Sequence, residues 1–156
     1  VQKIKSPVLG GHGDSMVAML GATDVEERKI IDLVKEGKLS QKRLDEIIER
    51  TKKGGAEIVK YLGNGSAYFA PAASGVEMAE CYLKDLKKQL PCAVHLNGEY
   101  GAKDIYAGVP VIIGSGGVEK IIELELSVKE KENFKKSIEA VKDLFNAAKK
   151  IDTFLN

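Results

Sequence analysis

Near Pro91 the spacing of apolar residues changes from that of helices to that of strands, and this change does most to limit the possible folds. Upstream, Leu44, Ile47, Ile48, Ile58, Val59 and Leu62 fall at helical intervals. A second helical run follows in Ala70, Ala73, Val76, Met78, Ala79, Tyr82, Leu83 and Leu86. Downstream, Ala93-Val94-His95-Leu96-Asn97-Gly98-Glu99-Tyr100 reads as a strand and turn around an Asn-Gly signal. Segments 109–113 and 118–126 then flank Gly114-Ser115-Gly116-Gly117 as a hairpin. Helices first and local hairpins after them predict an α+β fold, long helices packed on antiparallel sheet. With 156 residues, one domain spanning 1–156 is the expected organisation.

Punctuation residues set the predicted element ends. Thr23 with Glu26 fits a capping box ahead of Ile30, Ile31, Leu33 and Val34, which predicts a helix of about three turns up to the Gly37 stop. Ser40 starts the next helix, and Gly54-Gly55, costing about 2 kcal/mol against alanines, marks a kink or break that serves close packing. Gly63-Asn64-Gly65-Ser66 is a turn, after which 67–90 reads as a mostly buried helix with an unusually small-residue start. Ser127 with Glu130 is a second capping box, opening a closing helix with the stripe Phe134, Ile138, Val141, Leu144, Phe145, Ala148 and Ile151. At the other end, 1–9 reads as a strand already running, with Pro7 at an edge or bulge. That opening, which has no initiator Met, is what a fragment would show.

Bulk properties remove several classes of function. Lys and Arg number 24 against 23 Asp and Glu, a net charge of +1, so nothing favours nucleic acid or an anionic membrane as partner. Cys81 and Cys92 are too few for a disulfide framework, and no four-ligand Cys/His set for zinc is present. No apolar run approaches the roughly 20 residues of a membrane span, and no signal peptide opens the chain. A soluble protein of the reducing cytoplasm is expected, with a small-molecule partner.

The candidate chemistry centres on Leu9-Gly10-Gly11-His12-Gly13-Asp14-Ser15-Met16-Val17. Three glycines in five positions present an imidazole on a loop stripped of bulky neighbours, and imidazole is the side chain that changes charge near neutral pH. Local chemistry alone leaves two readings: a proton-handling group, or a Gly-rich turn whose histidine caps a neighbour. Gly114-Ser115-Gly116-Gly117 is a hairpin turn and not a phosphate cradle, since no Gly-Lys-Ser/Thr follows. His95 reads as an ordinary strand histidine, and Cys81 as a small hydrophobe within a helix. His12, Asp14 and His95 have no recognisable ligand spacing, so no metal is expected.

Taken whole, the His12 segment resembles the catalytic-histidine loop of the malate and lactate dehydrogenases. The likeness continues in order through Gly54-Gly55-Ala56-Glu57-Ile58-Val59, Gly65-Ser66-Ala67-Tyr68-Phe69-Ala70-Pro71, Met78-Ala79-Glu80, Gly98-Glu99-Tyr100-Gly101, Asp104-Ile105-Tyr106, Gly108-Val109-Pro110 and Gly117-Val118-Glu119-Lys120. It covers nearly the whole chain, and it is similar to the substrate-binding, C-terminal half of the family alone. No Gly-x-Gly-x-x-Gly fingerprint occurs, so NAD would be bound mainly by an N-terminal dinucleotide-binding domain that this chain lacks.

The resemblance implies interconversion of malate and oxaloacetate, a step of the tricarboxylic acid cycle, with His12 as proton acceptor and donor. It also places Gly11, Ser66, Ala67 and Pro71 at the substrate and nicotinamide pocket, and implies a homo-oligomer. The family's mobile-loop arginines and its Asp-x-x-Arg pair, which lie upstream of the histidine, have no match here. Negligible activity is therefore expected from the isolated chain. Lactate in place of malate, or a role as an oligomerisation module or inactive fragment, are the alternatives. Segments 1–7 and 18–31 depart from the family pattern.

Overall fold

The fold is that of a computed structural model, which describes residues 3–155. Its centre is an antiparallel sheet of β6 (Lys88–Asn97), β7 (Lys103–Gly114) and β8 (Gly117–Ile121), with β7 in the middle. Leu90 pairs with Val111 and Leu96 with Ile105. Leu90, Cys92 and Leu96 are buried along β6, opposite Ile105, Ala107, Val109, Val111 and Ile113 of β7, the alternation expected of a sheet with one covered face. Its cover includes the closing helix, α5 (Val128–Ile151), which buries Phe134 and Ile138 in the same core. Each large side chain removed from water there contributes roughly 1.5–3 kcal/mol.

The capping box that opens α5 is formed as the sequence predicts: Ser127 Oγ accepts from the Glu130 backbone N–H, and Glu130 accepts from the Ser127 N–H. The apolar stripe is buried only in the first half of that helix. Leu144, Phe145 and Ile151 are exposed, because no described element lies over the later turns. β8 also stops at Ile121, short of the predicted 126. The Tyr100 hydroxyl donates to the Ile122 carbonyl at 2.6 Å and accepts from the Leu124 N–H at 2.9 Å, so these peptide groups are satisfied by a side chain and not by a further strand. Burial pushes the Tyr100 hydroxyl pKa up, partly offset by the Leu124 N–H.

The N-terminal part forms two small sheets. β1 (Ile4–Lys5) pairs with β4 (Asp24–Val25), which pairs with β5 (Arg28–Lys29), while β2 (Val8–Leu9) pairs with β3 (Val17–Ala18). The predicted strand over 1–9 is thus broken around Pro7, whose carbonyl accepts from the Met19 N–H at 3.1 Å; its first two residues lie outside the described ones.

The helix predicted from Thr23 is a correction. Thr23 is buried and its hydroxyl donates to the Met19 carbonyl at 2.7 Å, while Glu26 and Glu27 adopt φ of 50° and 67° in the β4–β5 turn. The hydroxyl is already used by the Met19 carbonyl and the chain runs into β4, so no capping box forms, and α1 covers only Ile30–Lys35.

Helices α2 (Gln41–Lys52), α3 (Gly54–Leu62) and α4 (Phe69–Leu83) follow, with the Ser40 N-cap and the break beside Gly54 at the predicted places. Two expectations fail here. A Cβ at Gly54 or Gly55 would meet nothing within 4 Å, so among the described residues these glycines pack closely against nothing. Nor does the helical run over 67–90 form a buried helix: it ends at Leu83, strand β6 begins at Lys88, and among α4 residues Cys81 alone is buried. Within the described chain α4 meets the sheet near that one position and leaves its other faces open.

Candidate functional site

His12 stands at the tip of the β2–β3 hairpin, whose base is buried through Leu9 and Val17. Residues 10–16 form the loop, closed by a 3-10 turn over Gly13–Ser15 in which the Met16 N–H donates to the Gly13 carbonyl at 2.9 Å. The imidazole is exposed and makes no capping bond to that turn, so the reading of His12 as a cap does not hold. Ser15 Oγ donates to the His12 carbonyl at 3.5 Å, a weak brace, and Asp14 is exposed.

Backbone contacts anchor the loop on its core side. Gly10, with φ of 92°, exchanges two hydrogen bonds of 2.8 Å with Gly108 of β7. A Cβ at Gly108 would lie 2.8 Å from the Gly10 carbonyl oxygen, so this approach requires glycine. From the other side comes α5: Ser137 Oγ accepts from the Gly11 N–H at 2.8 Å. Ser137, Val141 and Gly108 are thus site residues that sequence reasoning missed. One signal was available, because Ser137 lies three residues after Phe134 and four before Val141, as a lone hydroxyl on the apolar face of the closing helix.

Ser66, Ala67 and Pro71 lie on a different segment, where the chain enters α4. Ser66 and Pro71 are exposed, Ala67 is half-buried, and the Ser66 carbonyl accepts from the Tyr68 N–H at 2.9 Å. Pro71 occupies the first turn, where its missing N–H costs no hydrogen bond. A Cβ at the preceding Gly63 or Gly65 would meet nothing within 4 Å among the described residues.

The structure joins Gly11, the residue before His12, to α5; among the described residues no hydrogen bond links Gly11 or His12 to Ser66, Ala67 or Pro71. Beside the loop, a cleft of about 700 Å³ is lined by Asp14, Ser15, Gln41, Asp45, Glu130 and Lys136 among others, and not by His12. Burial raises the Glu130 pKa, but hydrogen bonds from Ser127, Gly21 and Leu20 outweigh it and hold the carboxyl below the usual range. No group of three or more His, Cys, Asp or Glu with metal-binding geometry occurs among the described residues, and no described helix is long and apolar enough to cross a membrane.

The described chain is thus an α+β unit that presents His12, exposed, at the tip of a glycine hairpin. Residues 1–152 match the family described as lactate/malate dehydrogenase, alpha/beta C-terminal domain, and the chain belongs to that family. Over all 156 residues it is 62% identical to a malate dehydrogenase from Pelagibacter ubique (strain HTCC1062), covering 100% of this chain and 49% of that protein. The crystal structure of Cryptosporidium parvum malate dehydrogenase matches 96% of this chain and 48% of its own, with 40% identity and a TM-score of 0.91. Lactate dehydrogenase from Eimeria maxima, crystallised with NADH and oxamate, matches 97% of this chain and 47% of its own, with 37% identity and a TM-score of 0.92. The chain therefore spans about half the length of these relatives.

Proposed function

We propose that the chain is the substrate half of an NAD-dependent malate dehydrogenase, spanning 1–156 as one catalytic unit beside a separate dinucleotide-binding half. The observation that carries this reading is His12, exposed at the tip of a hairpin fixed to β7 and α5, in a chain that matches this family from end to end. His12 takes the hydroxyl proton as malate is oxidised and returns it when oxaloacetate is reduced. When bound, NAD supplies the hydride acceptor. Gly11 sets the imidazole on its tight loop, and Ser66, Ala67 and Pro71 offer small side chains to the ring end of the cofactor and to the substrate.

Malate is preferred over lactate because the 62% identity is to a malate dehydrogenase, although the lactate dehydrogenase fold fits equally well by TM-score. The open faces of α2–α4 favour association with the dinucleotide-binding half and with a second copy. A cytoplasmic enzyme of the tricarboxylic acid cycle fits the same reading. Among the described residues no arginine or aspartate side chain bonds to His12, so the isolated unit is expected to be inactive.

The test compares the full-length dehydrogenase carrying this sequence with its His12→Asn variant, each with malate and with lactate as substrate. Turnover of malate that falls by roughly 10³-fold or more on substitution supports the reading, by analogy with other catalytic imidazoles. Preference for lactate, or unimpaired turnover in the variant, overturns it.

A further inference from the structure

Ser137 stands out as a polar side chain buried in the apolar face of α5, flanked by the core residues Phe134 and Ile138. A hydroxyl so placed needs a hydrogen-bond partner. Its partner is the amide of Gly11, one residue before His12, at 2.8 Å. We propose that Ser137 is a positioning residue for His12, holding the Gly11 amide so that the imidazole leaves the loop in one direction; the proposal rests on the acid/base reading of His12.

The geometry that supports it is a pair of adjacent anchors. Gly10 is tied through both its N–H and its carbonyl to Gly108 of β7, and Gly11 is tied to α5 through Ser137. His12 is the first residue beyond both. Contact between helix and loop is direct, because a Cβ at Gly10 would lie 2.1 Å from Ser137 Oγ and 2.8 Å from Ser137 Cβ. On the neighbouring residue, a Cβ at Gly11 would lie 3.1 Å from a methyl of Val141. The sheet anchor alone fixes where the loop is. The Ser137 bond holds the N–H of the Gly10–Gly11 peptide, whose carbonyl Gly108 already holds, so the loop is gripped from both sides up to the residue before His12, and a proton transfer depends on that placement.

Removing the hydroxyl leaves the Gly10–Gly108 pairing in place, so the loop stays on the sheet while the Gly11 amide loses its acceptor. In the full-length enzyme, Ser137→Ala is expected to lower kcat by about 10- to 100-fold, the scale on which misplacement of a catalytic group acts. KM for NAD should change little, and the melting temperature should fall by only a few degrees, as one part-buried amide loses its acceptor. Ser137→Thr, which restores the hydroxyl, should recover most of the loss. A kcat within twofold of the parent overturns the proposal. So does a loss shared equally by kcat, KM for NAD and melting temperature, or a folded Ser137→Thr as impaired as the alanine.

Should Ser137→Ala fail to fold, Ser137→Cys carries the test. Its thiol is a weaker acceptor, and a kcat below the parent at unchanged KM for NAD supports the proposal, whereas a kcat equal to the parent overturns it. His12→Asn separates the two claims. An active His12→Asn sinks the acid/base reading and this proposal with it, whereas an inactive His12→Asn beside an unaffected Ser137→Ala sinks the role of Ser137 alone.

Discussion

The central sheet and the helical run from α2 to α4 carry equally regular apolar patterns and treat them in opposite ways. In the sheet, Leu90, Cys92 and Leu96 of β6 and alternate residues of β7 are buried, and α5 seals them. In the helices, Leu44 and Cys81 alone are buried, while Tyr61, Phe69, Val76 and Leu83 face outward. The sheet finds its cover within the described chain, from α5 and from Leu9, Val17 and Met19 of the N-terminal part. A helix face needs a partner from elsewhere, and its periodicity states only that a face exists to be covered. The lesson is that apolar spacing reports the shape of an element's buried side, but not which body buries it.

The sharpest way to break this contrast is to truncate one leucine in each region of the 156-residue chain. Leu96 is 0% exposed and Leu83 is 79% exposed. Leu96→Ala should cost about 2–5 kcal/mol, the transfer term plus a cavity in a packed core. Leu83→Ala should change stability by no more than about 0.5 kcal/mol. Chemical denaturation monitored by circular dichroism reads both. Comparable losses in the two variants would mean that α4 is covered in solution, and the contrast would collapse.

The same contrast explains which parts of the fold could be read from the sequence. Strands and hairpin around Gly114–Gly117, the Ser127 capping box, the Ser40 N-cap and the break beside Gly54 all depend on neighbours within a few residues. The Thr23 box failed because the Thr23 hydroxyl bonds to Met19 and Ser6 in the segments between the small N-terminal strands, a use that the capping pattern does not encode. Burial of α4 failed because a helical stripe names no partner. At the site, the loop around His12 was readable from its glycines. Its anchors were not, since Gly108 and Ser137 lie 98 and 126 positions from the residues they hold.

Glycine substitutions sharpen the comparison with effects of opposite sign. At Gly10, φ is 92° and the new Cβ would collide with Ser137, so Gly10→Ala should destabilise by about 2–4 kcal/mol through backbone strain and lost packing. At Gly55, inside α3, the Cβ would enter open space. Gly55→Ala should therefore stabilise by about 0.5–1 kcal/mol, from helix propensity and the reduced freedom of the unfolded chain. Thermal melts of the two variants decide this. A destabilised Gly55→Ala would show that another body occupies the space beside α3.

The smallest effect belongs to the β5–α1 segment that leads into the helical run. Arg28 of β5 donates to both carboxylate oxygens of Glu36, at 2.5 and 2.6 Å, and Lys38 lies 2.8 Å from the same group. The hydrogen bond from Arg28, then that from Lys38, holds the Glu36 carboxyl well below its ordinary 4.5, at about 2. A carboxyl depressed in the folded state stabilises above its unfolded pKa, and that contribution is lost as pH falls from about 4.5 toward 2. Because the group is exposed, water and salt screen it, and the melting temperature should barely move. The readout is the titration itself. In Arg28→Ala the Glu36 carboxyl, followed by carbon NMR, should titrate closer to its ordinary range, held down only by Lys38. A parent chain in which Glu36 already titrates near 4.5 would show that the Arg28–Glu36 pair does not form in solution, leaving the β5–α1 junction as loosely held as the helices beyond it.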